Sequence, residues 1–156
     1  MYKKILVPLD GSPFAECTFE HILAIAQGCN VPEVVLLRVV EPLPSTDLVA
    51  LGQVSAKSLE RVEGWRKSEA TDYITKTAQK LKEEGVPVKG EVVTGRAAEQ
   101  ILDYANNNHF DLIIMSTHGR SGVARWAFGS VADRIVRTSV IPVLTVAPQG
   151  CRVSRT

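Results

Sequence analysis

Short, nearly unbroken apolar runs alternate with amphipathic stretches along most of the chain. The runs are Lys4 to Leu9, Glu33 to Val40, Val86 to Val93, Leu112 to Met115 and Val143 to Val146. Leu112 to Met115 has no polar alternation and is too short for a buried helix, so it predicts a strand covered on both faces, and the other runs read as strands of the same sheet. Between them, apolar residues recur at helical spacing. Five strands alternating with helices, joined by right-handed crossovers, give an α/β fold: a doubly wound five-stranded parallel sheet, with expected order 3-2-1-4-5.

Local signals set the boundaries. Ser12 is a suitable N-cap and Pro13 a suitable first helical residue. Ala15, Phe19, Ile22, Leu23 and Ala26 then form one apolar face, ending near Gly28. From Glu41 to about Ala56 the pattern dissolves among Pro42, Pro44, Ser45 and Gly52, which predicts a long loop of the kind that often carries function. A charge-rich helix spans roughly Lys57 to Glu84, with its apolar stripe at Ala70, Tyr73, Ile74, Ala78 and Leu81; Gly85 and Pro87 stop it. A turn at Thr94-Gly95-Arg96 leads into a helix with Ala98, Ile101, Leu102 and Ala105 on its core face. The run Asn106 to Asn108 ends that helix, and Pro142 introduces the last strand.

At 156 residues the chain fits a single domain, 1–148, with 149–156 as a flexible tail. An apolar fraction of 45% and a charged fraction of 22% suit a globular protein, and a net charge of +1 argues for neither nucleic acid nor membrane as partner. The first residues lead into a strand without a signal-peptide pattern, so a cytoplasmic protein is expected. Cys17, Cys29 and Cys151 show no metal or redox spacing and are expected as reduced thiols.

Candidate chemistry centres on the segment after the fourth run, Ser116-Thr117-His118-Gly119-Arg120-Ser121-Gly122, continued at Phe128-Gly129-Ser130. Val131, Ala132, Ile135 and Val136 then recur at helical spacing, which puts Ser130 at the N-cap and Asp133 in a capping-box position. A strand, a glycine-rich loop and a helix start together suit an anion, since backbone N–H groups and the helix dipole favour phosphate. Neither G-x-x-x-x-G-K-[ST] nor a G-x-G-x-x-G after the first strand is present, so neither P-loop phosphotransfer nor classical dinucleotide binding is supported. In doubly wound sheets ligands sit beyond the carboxyl ends of the strands where the winding reverses. With that point between strands one and four, Asp10 and the loop from Gly119 to Ser130 face one crevice.

At these residues the sequence resembles the universal stress protein family. The resemblance is carried by Ile5-Leu6-Val7-Pro8-Leu9-Asp10-Gly11-Ser12, Leu36-Leu37-Arg38-Val39-Val40, Thr94-Gly95 and the block from Ser116 to Val146. It spans nearly the whole chain. The ATP-binding branch is marked by G-x2-G-x9-G-[ST]; Gly119, Gly129 and Ser130 match it with nine residues between the two glycines, and Ser116 stands at the first position in place of Gly. The resemblance implies a Rossmann-like adenine-nucleotide-binding fold. By matching position, Pro8, Leu9 and Asp10 would line the adenosine pocket, and Val39 would read the adenine edge with its main chain. Ser116, His118, Gly119, Arg120, Gly129, Ser130 and Val131 would surround ribose and phosphates. ATP, or AMP or ADP, is the implied ligand, with Mg2+ or Mn2+ accompanying the phosphates, and a homodimer through the last strand is implied as well.

Simpler roles stand beside these. Asp10 could cap the turn before Ser12, Ser130 could be only a helix cap, and Arg125 reads as a surface cation. His118 is better suited to positioning the loop than to proton transfer, while Trp126 and Phe128 would pack the loop down. No nucleophile–base pair or Walker-type acid is visible, so at most a slow ATPase is expected. The function that results is a nucleotide-dependent regulator of stress response, acting on a protein partner the sequence does not specify. Its alternatives are an adenine-nucleotide hydrolase or adenylating enzyme of the same architecture, and an interaction module that binds no nucleotide.

Overall fold

The computed structural model describes residues 2–43, 52, 55–117 and 129–147. Five strands, β1 (Lys4–Pro8), β2 (Glu33–Val40), β3 (Val88–Thr94), β4 (Leu112–Ser116) and β5 (Val143–Val146), form one sheet in the order β3-β2-β1-β4-β5. All four neighbouring pairs are parallel. The helices are α1 (Phe19–Gly28), α2 (Ala56–Glu83), α3 (Ala97–Asn107) and α4 (Ser130–Thr138).

Strand pleating divides the apolar runs between two cores. Ile5, Val7, Leu36 and Ile114 face α1 and α2, packing on Ile22, Ile74 and Leu81. Leu6, Val35, Leu37 and Ile113 face α3 and α4, packing on Ile101, Ala105 and Ile135. Ile5, Leu6, Val7, Val34, Val35 and Leu36 are each 0% exposed, which is why β1 and β2 read as continuous apolar runs. Each such side chain contributes roughly 1.5–3 kcal/mol by leaving water. At the amino end of the sheet the Asp111 carboxylate accepts the backbone N–H groups of Lys3 and Lys4, at 2.8 and 2.9 Å.

Three expectations are corrected. The segment after Ser12 opens as a 3-10 turn at Ala15–Thr18, and the α-helix begins only at Phe19; the Ser12 hydroxyl does accept the Ala15 N–H, at 3.2 Å, but caps this turn and not α1. In α4 the N-cap is Gly129, and Ser130 is the first helical residue. No capping box forms, because the cap residue Gly129 has no side chain and its N–H donates to Thr117 O; the Asp133 carboxylate accepts instead from Arg137 Nε at 2.9 and 3.0 Å. Cys17, expected as a reduced thiol, is disulfide-bonded, whereas Cys29 is free; pairing depends on distance in the fold, which sequence spacing does not convey.

Candidate functional site

Where β1 hands over to α1 on one face and β4 to α4 on the other, the carboxyl ends of the central strands part. The opening is a cavity of about 320 Å³, of the size that takes a small ligand. Its apolar walls come from Pro8, Leu9, Leu37, Val39, Ile101 and Met115. Its polar lining comes from Asp10, Arg38, Ser116, Thr117, Gly129 and Ser130. Of the residues expected at the site, Pro8, Leu9, Asp10, Val39, Ser116, Gly129, Ser130 and Val131 all line this one cavity. His118, Gly119 and Arg120 lie outside the described residues, as do Ser121, Gly122, Arg125, Trp126, Phe128 and Cys151.

Val39 lines the cavity at the end of β2. The ladder between β1 and β2 ends at Pro8 and Leu37, followed by one further bond from Leu9 N–H to Leu37 O at 2.9 Å. In a parallel pair a residue's N–H and C=O point to the same neighbour, and successive residues alternate sides. Leu37 therefore addresses β1, Val40 addresses β3 by accepting Gly95 N–H at 3.1 Å, and Val39 addresses the place where β1 has already turned away. By that alternation its donor and acceptor point side by side toward the crevice.

Asp10 is fixed by the chain itself. Gly11 takes φ +80°, a left-handed value suited to glycine, and this turns Ser12 back so that its N–H donates to Asp10 Oδ1 at 2.9 Å. The turn-capping role and the cavity-lining role thus belong to the same carboxylate. Its charge also reaches the Tyr73 phenol, which is pushed up to about 12, first by burial and then by the negative charges of Glu16 and Asp10.

The opposite end of the cavity is the first turn of α4. Gly129 N–H donates to Thr117 O at 2.7 Å, and Asp133 N–H closes the first helical bond onto Gly129 O at 2.9 Å. Gly129 has no side chain to cap this helix, and none of the described residues supplies one. Its leading N–H groups, at Ser130 and Val131, therefore carry the positive end of the dipole into the cavity wall. Chemically the arrangement offers an apolar slot with a donor–acceptor pair, one carboxylate for hydroxyl groups, and a helix terminus for negative charge.

Sequence reasoning did not pick out Arg38, Thr117, Ala97 or Met115 as lining residues. Met115 and Ile101 carried the core pattern that also builds a pocket wall, and nothing local distinguishes the two uses. Arg38 did carry a signal, since a cation interrupts an otherwise apolar strand.

The family model for the universal stress protein family matches residues 1–147. Universal stress protein MJ0531 of Methanocaldococcus jannaschii is 34% identical over 146 residues, covering 94% of this chain and 82% of that protein. Universal stress protein MJ0577 of the same organism is 33% identical over 155 residues, covering 94% and 95%. Its solved structure superposes with a TM-score of 0.79 at 29% identity, over 94% of this chain and 96% of that one. A more distant structure of the same fold, a universal stress protein family protein from Arabidopsis thaliana, has AMP bound; it matches with a TM-score of 0.61 at 18% identity, over 93% of this chain and 91% of that one.

Proposed function

The chain belongs to the universal stress protein family, and from that premise we propose that it binds an adenine nucleotide in the crevice between β1 and β4 and acts as a nucleotide-dependent regulator. ATP is the ligand we assign, with ADP and AMP as shorter occupants of the same slot. The observation that carries this reading is the pairing, across one cavity, of the outward main chain of Val39 with the first turn of α4, whose N-cap is Gly129. The first suits the edge of a base, and the second suits phosphate.

In this reading adenine lies between Val39, Ala97 and Ile101, and the Asp10 carboxylate accepts from the ribose hydroxyls. The N–H groups of Ser130 and Val131 meet the phosphates, together with His118, Gly119 and Arg120 from the loop. Mg2+ or Mn2+ would come with the triphosphate and be held chiefly by its oxygens, because the described residues hold no group of three metal-ligating side chains. We assign no catalytic residue. A slow ATPase would need a base to activate water, and Asp10 is already engaged by Ser12.

The regulatory part rests on a second surface. Among the described residues β5 pairs only with β4, which makes it an edge strand of the sheet, and an exposed edge invites pairing. We propose a two-fold homodimer through that edge, which leaves the crevice open to nucleotide. No helix among the described residues is long and apolar enough to cross a membrane.

Denaturing the purified protein and identifying any released small molecule tests the ligand. Calorimetric titration with ATP and GTP then tests the base. Heat with ATP and none with GTP is expected; equal affinity for both would remove Val39 from the reading.

A further inference from the structure

The start of α3 is not capped by its own sequence. Arg96 occupies the N-cap position and makes no capping bond. The Ala97 N–H donates instead to Glu41 Oε1 at 2.9 Å, across 56 residues of sequence. Glu41 directly follows β2, two residues after Val39. Its own carbonyl accepts from Arg66 Nη1 of α2 at 2.8 Å. One residue therefore joins the end of β2, the start of α3 and the side of α2.

Two of these connections lead straight to the cavity. Ala97 lines it, and so does Val39. The Gly95 N–H to Val40 O bond at 3.1 Å holds the same corner from the other side, with Gly95 at φ +147°. The third connection leads away from it. In α2 the buried positions begin at Ala70, and no residue from 56 to 69 is buried. Trp65 is 64% exposed and Val62 45%. This outer half of α2 precedes the first core contact of the helix, and Arg66 ties it to the strand that reads the base.

We propose that Glu41 is the positioning residue for the base end of the crevice, and that through Arg66 it couples occupancy of the crevice to the outer half of α2. The proposal rests on the nucleotide reading given above. With the carboxylate in place, the Val39 main chain and the Ala97 wall keep the separation that a flat base requires. A bound base in turn holds the end of β2, and hence the Glu41 carbonyl on which Arg66 is anchored.

The test uses the full chain and its variants Glu41→Ala, Glu41→Gln and Arg66→Ala, with adenosine and ATP as probes. Affinities come from calorimetry, and the protection of residues 56–69 comes from hydrogen–deuterium exchange at saturating ATP. Glu41→Ala is expected to weaken adenosine and ATP by the same factor, about five-fold, comparable to one lost helix cap. Glu41→Gln, which keeps an acceptor oxygen, is expected to recover most of that loss. Arg66→Ala is expected to retain ATP affinity within about two-fold while abolishing the ATP-induced protection of residues 56–69. A loss confined to ATP, or no loss at all in Glu41→Ala, overturns the positioning role. Unchanged protection in Arg66→Ala overturns the coupling. If the parent protein binds neither adenosine nor ATP, the nucleotide reading falls and this proposal falls with it, a result distinct from the other two.

Discussion

Gly129 donates its backbone N–H to the carbonyl of Thr117 at 2.7 Å, so the first turn of α4 is fastened to the end of β4 however the residues between them run. That bond sets the helix terminus over the crevice. Gly129 has φ −59° and ψ 149°, values any L-residue adopts. Gly129→Val therefore should fold: helix content and thermal midpoint should stay near those of the parent. The added methyl groups would occupy the space in which phosphate meets the Ser130 and Val131 N–H groups. ATP affinity should fall at least about tenfold, and adenosine affinity should change far less. Calorimetry with both ligands reads the difference. Unchanged ATP affinity would mean that the phosphates lie elsewhere.

The dimer can be tested at one position. Parallel pairing with β4 uses the backbone of Pro142, Leu144 and Val146, as Ile113 N–H to Pro142 O and Thr117 N–H to Val146 O show, at 2.9 and 3.0 Å. By alternation, the N–H groups of Val143 and Thr145 point outward. Thr145→Pro would remove an outward donor and leave the β4 ladder its partners. Sedimentation should then show a dimer for the parent protein at micromolar concentration and a monomer for Thr145→Pro. Identical sedimentation of the two would place any interface away from β5.

Much of this architecture was legible in the residues. Apolar runs located all five strands to within two residues at either end; for β1, β2 and β4 that is because strands buried on both faces leave little room for polar alternation, whereas the edge strand β3 carries Lys89 and Glu91. The order β3-β2-β1-β4-β5 agrees with the expected one. What stayed hidden depended on distance in space. Glu41 looked like the first residue of a long loop, and only the fold shows that its carboxylate meets Ala97. Ser130 and Asp133 had the spacing of a capping box, but the cap falls one residue earlier, on Gly129, and Asp133 pairs with Arg137 one turn on. Ile101 and Met115 could be read as apolar but not as pocket walls.

Gly90 tests how closely α2 sits on β3. A Cβ at this position would fall on Ile74 Cγ2 and come 3.5 Å from the Ile74 carbonyl oxygen. Ile74 is 2% exposed and cannot swing away into solvent. Gly90→Ala should destabilise by about 1–3 kcal/mol, the usual effect of overpacking. Ile74→Ala should cost about 2–5 kcal/mol by leaving a cavity. In the double variant the new methyl group enters the vacated space, so the combined loss should be smaller than the sum of the two. Urea unfolding of the four proteins measures this cycle. Strict additivity would mean the two residues do not touch.

Tyr73 offers a prediction in pH. Its buried hydroxyl has no hydrogen-bond partner among the described residues, and the Thr77 hydroxyl donates to the Tyr73 carbonyl at 2.8 Å. Burial, followed by the charges of Glu16 and Asp10, raises the phenol from 10.0 to about 12. The neutral form is thus favoured by folding. Its contribution to stability is complete below the unfolded value near 10 and is lost as pH rises toward 12. By pH 11 the loss from this group alone should be on the order of 1 kcal/mol. Tyr73→Phe should remove that segment of the alkaline decline, and at neutral pH it should be neutral or stabilising by up to about 1 kcal/mol, since it deletes a buried hydroxyl that gains nothing. Tyr104, also raised, chiefly by burial and then by Glu91, remains as a control and should keep its own contribution in the variant. Urea unfolding of both proteins between pH 7 and pH 11.5 reads the two slopes. Parallel curves over that range would mean that Tyr73 ionises as freely in the folded chain as in the unfolded one.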